Sequence, residues 1–151
     1  METKFNFKSQ ICTDKIQSER LLALGLKNET ADMKYPCTRE YYGGVLTEGT
    51  SSLPIIIDTE DDNITEYDTP AWSIARLIEM MPGDVIPEGG YDNSFTLIKT
   101  YPKGYNIEYD GFSYYHKENI YDTLIERIED LIKAGYFNKK YLARKRSTRR
   151  D

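Results

Sequence analysis

The chain has 151 residues, 39% hydrophobic and 30% charged, with a formal net charge of −5. That length suits one domain with a core of its own, needing neither disulfide nor metal staples. Its longest apolar runs, such as Leu53 to Ile57 with Pro54 inside, are far too short for a membrane-spanning helix.

The opening residues M-E-T-K-F-N-F-K-S-Q carry no apolar stretch of the kind a secretory signal needs, so the expected compartment is the cytoplasm. Cys12 and Cys37 are then expected as reduced, buried thiols. Thr13 to Gly25 predicts a first helix, capped by Thr13 or Asp14, with Ile16, Leu21, Leu22 and Leu24 on its apolar face and Gly25 as its stop. Leu26 to Met33 reads as a connector that packs both of its ends on the core. Met33 to Tyr42 contains Pro36, which makes it at most an edge strand, and Gly43-Gly44 turns it toward a return at Val45 to Thr47. Leu53 to Ile57 has the β-branched density of a strand.

The acidic loop Asp58 to Asp68 then delivers the expected centre of the core. T-P-A-W-S-I-A-R-L-I-E-M-M-P predicts a helix with Thr69 as its cap and Pro70 in its first turn, stopped by Pro82-Gly83. Ile74, Leu77, Ile78 and Met81 share one stripe, with Trp72 beside it. After a loop over residues 83 to 93, the segments 94 to 101, 105 to 109 and 112 to 115 predict a three-stranded antiparallel meander turned by Pro102-Lys103-Gly104 and Asp110-Gly111. Asn119 to Ala134 predicts a last helix that covers this meander through Ile120, Leu124, Ile128, Leu131 and Ile132. Glu129 and Lys133 pair across one turn, and Gly135 is the stop. The fold class that follows is α+β: a meander with one or two further strands and about three helices, in a single domain over 1–138.

Charge is unevenly spread. Lys139, Lys140, Arg144, Lys145, Arg146, Arg149 and Arg150 fall in the stretch 139–151, where Asp151 is the one acid. The rest of the chain keeps 13 basic against 24 acidic residues. An acidic body thus carries a basic tail, which is either an idle terminus or a contact for nucleic acid or an acidic partner.

Three groups of residues qualify for chemistry. Asp58, Glu60, Asp61 and Asp62 follow a strand and offer oxygen ligands to Mg²⁺ or Mn²⁺, as a phosphoesterase would need. The loop does not fit a calcium-binding hand, which wants Gly and Glu where Asn63 and Thr69 stand, and a solvated acidic loop is the plainer reading. His116 is the one histidine, so no histidine-rich metal site exists and at most one imidazole serves as acid or base. Neither a nucleophile elbow nor a phosphate-binding glycine motif occurs, and no cofactor is expected. The 13 tyrosines are the compositional outlier. Tyr101, Tyr105, Tyr109, Tyr114 and Tyr115 in the meander cannot all face a helix-covered core, and tyrosine favours protein contacts.

Three stretches resemble a group of small uncharacterised proteins encoded by gut Bacteroidales, their phages and mobile elements. They are L-L-A-L-G-L-K-N-E-T-A-D-M, P-A-W-S-I-A-R-L-I-E-M-M-P and D-T-L-I-E-R-I-E-D-L-I-K-A-G-Y-F. The likeness spans most of residues 10 to 137; the tail continues past the point where such proteins end. It implies no activity and no catalytic residue. It does imply a setting in which small acidic proteins bind host machinery, so the leading expectation is a non-enzymatic interaction module, an inhibitor set in the basic groove of a host nucleic-acid-binding protein. The alternatives are the metal-dependent phosphoesterase and nucleic-acid binding by the tail.

Overall fold

The computed structural model describes residues 9–57, 64–85, 93–94, 96–99, 104–108 and 117–143. They form an α+β fold of three α-helices and short antiparallel strands.

Helix α1 (Lys15–Ala23) starts where Asp14 accepts the Gln17 backbone N–H at 2.7 Å and the Gln17 carboxamide oxygen accepts the Asp14 N–H at 3.0 Å. This reciprocal cap satisfies two N–H groups that a helix start leaves bare. Gly25 ends it at φ +103°, a left-handed position that suits glycine. The inward face differs from the expected one. Gln17, Ser18 and Leu21 are buried, whereas Ile16 is 79% exposed. The polar pair goes inside because it has partners there. Ser18 Oγ meets Thr13 Oγ1 at 2.8 Å, and Gln17 Nε2 donates to Asp122 Oδ1 at 2.8 Å and Asn119 Oδ1 at 3.3 Å.

A 3₁₀ turn (Asn28–Thr30) leads into β1 (Met33–Tyr35), and Leu26 and Met33 pack on the core as the connector predicts. Pro36 does not make this an edge strand. It splits the stretch in two, and β1 becomes the middle of a three-stranded sheet, buried along its length. Its neighbours are β4 (Ile55–Ile56), a two-residue remnant of the strand expected over 53–57, and β5 (Thr69–Ala71). Beyond Pro36 the chain leaves that sheet as β2 (Cys37–Tyr42), turns at Gly43-Gly44 and returns as β3 (Val45–Thr50).

Thr69 and Pro70 are a correction. They lie in β5 and not in a helix; Pro70 stands opposite Lys34 in a strand at the sheet's edge, where its missing N–H costs no ladder bond. The helix α2 (Ile74–Met80) begins later, at Ser73, whose hydroxyl accepts the Arg76 N–H at 3.2 Å. Asp32 fixes Ser73 in turn, taking its backbone N–H at 2.9 Å and its hydroxyl. Trp72 therefore precedes the helix. It is fully buried, its carbonyl accepts the Thr13 N–H at 2.9 Å, its own N–H donates to Thr13 Oγ1 at 3.1 Å, and its Nε1–H donates to Thr30 Oγ1 at 3.0 Å.

Two further antiparallel pairs follow, β6 (Asp84–Val85) with β7 (Asn93–Ser94), and β8 (Thr96–Lys99) with β9 (Tyr105–Glu108). The chain passes beside β9 once more, where Lys117 bridges Tyr105; residues 112–115, the expected third strand, lie outside the described residues. Helix α3 (Ile120–Ala134) starts at the Asn119 side chain and stops at Gly135, as its sequence predicts. It covers β9: Arg127, 1% exposed, donates Nε–H to the Ile107 carbonyl at 2.7 Å. Leu124, Ile125, Ile128 and Leu131 of α3 are fully buried, so the core gathers on α3 and Trp72 as much as on the α2 stripe, where Leu77, Met80 and Met81 lie inside. No helix among the described residues is long and apolar enough to cross a membrane.

Candidate functional site

The β2–β3 hairpin is the longest exposed stretch among the described residues. Its ten residues from Thr38 to Thr47 alternate faces like any ribbon, yet neither face is covered: every one is exposed. Pairing runs from Cys37 opposite Thr50 out to Tyr42 opposite Val45. Gly43 and Gly44 close it with φ of +56° and +84°. Two consecutive left-handed residues form the turn whose twist matches the strands it joins, and glycine adopts them without strain.

Strand alternation assigns the side chains. Tyr41 and Leu46 share one face; Tyr42 and Val45 share the other. Their exposures are 74%, 42%, 67% and 66%, so the tip is apolar on both sides. Single exposed apolar residues are ordinary, whereas here four adjoin at the end of one ribbon. Nearer the root the charges are spent locally. Arg39 Nε lies 3.6 Å from Glu48 Oε1 and its guanidinium lies 5.0 Å from the Tyr67 ring centre, while the Tyr42 hydroxyl donates to Glu40 Oε2 at 2.8 Å.

The root is anchored by a buried charge. Asp68 accepts the Cys37 N–H at 2.9 Å through Oδ1, and the Thr65 N–H and hydroxyl, both at 3.0 Å, through Oδ2. Lys34 Nζ reaches the same oxygen at 3.3 Å, and both side chains of that pair are under one tenth exposed. Burial raises the Asp68 pKa, but the bonds from Cys37, Thr65 and Lys34 outweigh it and hold the carboxyl below its ordinary range. A backbone bond, Ser51 N–H to the Pro36 carbonyl at 2.8 Å, joins the two ends of the ribbon.

Of the tyrosines expected at a contact surface, Tyr105 is described: it is half-buried in β9, where its carbonyl accepts the Thr123 hydroxyl at 3.3 Å. Tyr101, Tyr109, Tyr114 and Tyr115 lie outside the described residues, as do His116, the acidic group Asp58, Glu60, Asp61 and Asp62, and the tail residues Arg144, Lys145, Arg146, Arg149 and Arg150. Among the described residues no group of acidic, histidine or cysteine side chains is placed to hold a metal ion. Other tyrosines have structural posts. Tyr35 donates its hydroxyl to the Thr13 carbonyl at 2.9 Å and Tyr121 donates to the Gln10 carbonyl at 3.0 Å; burial pushes both phenols up, Tyr121 to about 12. Tyr41 and Tyr42 were not among the residues that the sequence singled out. The available signal was the tyrosine pair directly before Gly-Gly with Val-Leu after it, a hairpin tip with aromatic and aliphatic residues facing each other.

Comparison with protein-family models, with curated proteins and with solved structures finds no match to this chain.

Proposed function

We propose that this chain is a protein-interaction module without catalysis of its own, and that the β2–β3 hairpin is the element it presents to its partner. The observation that carries this is the exposed apolar tip, Tyr41, Tyr42, Val45 and Leu46, on a ribbon whose residues 38–49 are all exposed. A two-stranded ribbon is marginal in water, and its free edges invite pairing. A partner that covers the tip removes both liabilities.

The chemistry narrows the partner. Because Arg39, Glu40 and Glu48 already have partners within the ribbon, Glu40 through the Tyr42 hydroxyl, the tip offers two aromatic rings, two aliphatic side chains and the Tyr41 hydroxyl, and it fits an apolar groove with a hydrogen-bond acceptor at its rim. The resemblance to proteins of phages and mobile elements suggests a host or phage protein for that role, a nucleic-acid-binding enzyme held by an inhibitor being one case. Under this reading the hairpin makes the main contact and the acidic body contributes approach rate and salt sensitivity.

The test compares capture of partners from lysate by the full chain, by Tyr41→Ser/Leu46→Ser and by Tyr42→Ser/Val45→Ser. The replaced side chains are exposed, so melting temperature stays unchanged, and loss of one stoichiometric partner in either variant supports the hairpin. Equal capture by all three proteins overturns the assignment.

A further inference from the structure

A two-residue turn with both residues left-handed closes on a pair that exchanges its backbone bonds. Tyr42 and Val45, and every second pair behind them, therefore spend their N–H and C=O groups inside the ribbon. The residues between them point those groups outward. Two bonds at the root agree with this alternation: the Cys37 N–H leaves β2 for Asp68, and the Ser51 N–H turns in to the Pro36 carbonyl. On β3 the outward groups belong to Leu46, Glu48 and Thr50.

The two outer edges of the ribbon are not alike. Along β2, Asp68 takes the first outward N–H, and the next outward residue, Arg39, has the Tyr67 ring centre 5.0 Å from its guanidinium. β3 pairs with β2 alone, and among the described residues the backbone of Leu46 and Glu48 meets nothing on its outer side. Both residues are exposed, as is Thr47 between them. A strand with a bare outer row of donors and acceptors is a template for another strand.

We propose that this template takes a second copy of the chain, β3 against β3, antiparallel and in register about Thr47. The register follows from the side chains. With the two-fold axis at Thr47, Leu46 stands opposite the second copy's Glu48 and exchanges both backbone bonds with it, and Glu48 does the same with the second copy's Leu46. Thr47 faces Thr47, a favourable cross-strand pair. Val45 comes opposite Gly49, a bare position where a Cβ would stand 3.1 Å from Thr38 Oγ1, and fills the gap there. Moving the axis one residue toward the root would set Glu48 against Glu48, and like charges directly opposite are destabilising. Moving it one residue toward the tip shortens the overlap. At Thr47 each Glu48 keeps its own Arg39, 3.6 Å away, and meets an aliphatic side chain across the axis.

The pairing joins two ribbons into one sheet in the order β2-β3-β3-β2, and a sheet of that width holds together in water where a lone ribbon is marginal. Growth ends there, because the new outer edges are the β2 strands that Asp68 and Tyr67 flank. This inference concerns the edge of the ribbon and goes beyond the partner proposed for its tip.

Sedimentation velocity of the full chain over a range of concentrations tests it. The expected result is a mass that climbs from 17.6 kDa toward twice that value as concentration rises. Thr47→Lys and Thr47→Glu each set like charges opposite one another, on Cα atoms about 4.5 Å apart across the axis, and are expected to stay monomeric. Their circular dichroism is expected to match the parent's, since Thr47 is exposed. Mixed in equal amounts, the two variants are expected to form a heterodimer, which no change confined to one chain would produce. A parent that is monomeric throughout, variants that dimerise as the parent does, or a mixture that stays monomeric would each overturn the assignment. Capture from lysate by the tip variants reads the other proposal, so either can fail alone.

Discussion

The Asp68 carboxylate and the Cys37 backbone N–H, 2.9 Å apart, fix the direction in which the hairpin leaves the body. Cys37 is the first residue beyond the sheet break at Pro36, and Asp68 sits one residue before β5, so one side chain ties the ribbon to the edge of the sheet it left.

That tie sets an acid limit. The folded carboxyl titrates below the unfolded value near about 3.9, so its contribution is complete above that value and fades as pH falls below about 4. Asp68→Asn keeps the shape and removes the charge. Breaking a buried ion pair costs about 3 kcal/mol at neutral pH, and the difference from the parent shrinks toward zero as pH drops below about 4. Urea unfolding at neutral and acid pH measures both.

At the hairpin tip, affinity is expected to fall without loss of stability. Fully burying an apolar side chain of this size contributes about 2 kcal/mol, so Leu46→Ser weakens partner binding by roughly tenfold or more. Calorimetric titration with the captured partner reads this, beside a melting curve that does not move.

Gln17 has every amide position engaged. Its oxygen accepts from Gln10 Nε2 at 2.7 Å and from the Asp14 N–H at 3.0 Å, and its nitrogen donates to Asn119 and Asp122. The starts of α1 and α3 and the segment before α1 meet at this one side chain. Gln17→Leu leaves those groups bare in a buried place and is expected to cost about 3 kcal/mol, more than Ile16→Gln on the exposed neighbour, which costs under about 0.5 kcal/mol.

Arg127 is buried and donates to the Ile107 carbonyl, to Asn106 Oδ1 at 3.4 Å and to Asp130 Oδ2 at 3.2 Å, among others. Arg127→Ala removes one link between α3 and β9 and opens a void; a loss of about 4 kcal/mol is expected. Arg127→Met fills the void and recovers part of that loss. Thermal unfolding of the pair separates packing from hydrogen bonding.

The thiols should differ in reactivity. Cys12 is 2% exposed beside the Tyr35 hydroxyl, and burial pushes its pKa up, while Cys37 is half-exposed at the hairpin root. A thiol-exchange reagent at neutral pH is expected to modify one thiol per folded chain, at Cys37, and the second only after unfolding.

Much of this architecture was legible. Periodicity placed α1 and α3 within a residue or two, because Asp14, Asn119 and Gly135 are local signals acting on their own backbone. Residues 69–73 depart from the helix that their sequence predicts for the complementary reason. Thr-Pro is an adequate helix start in isolation, but β1 pairs with that segment and Asp32 supplies a better cap at Ser73, and neither partner is near in sequence. Ile16 and Gln17 traded their expected faces on the same principle: Gln17 goes inside because Gln10, Asn119 and Asp122 satisfy it there. The hairpin tip carries no hydrophobic alternation that would mark a buried side; both of its sides face out.

The bond between Ser51 and Pro36 makes the hairpin a cassette. Its two ends already touch, so the stretch from Cys37 to Thr50 can be exchanged for another ribbon of like register while the sheet, the helices and Trp72 keep every bond they have. Asp68 asks of the incoming strand only a backbone N–H at position 37, which any residue but proline supplies. The rest of the chain would then serve as a scaffold on which ribbons of other sequence could be compared one tip at a time.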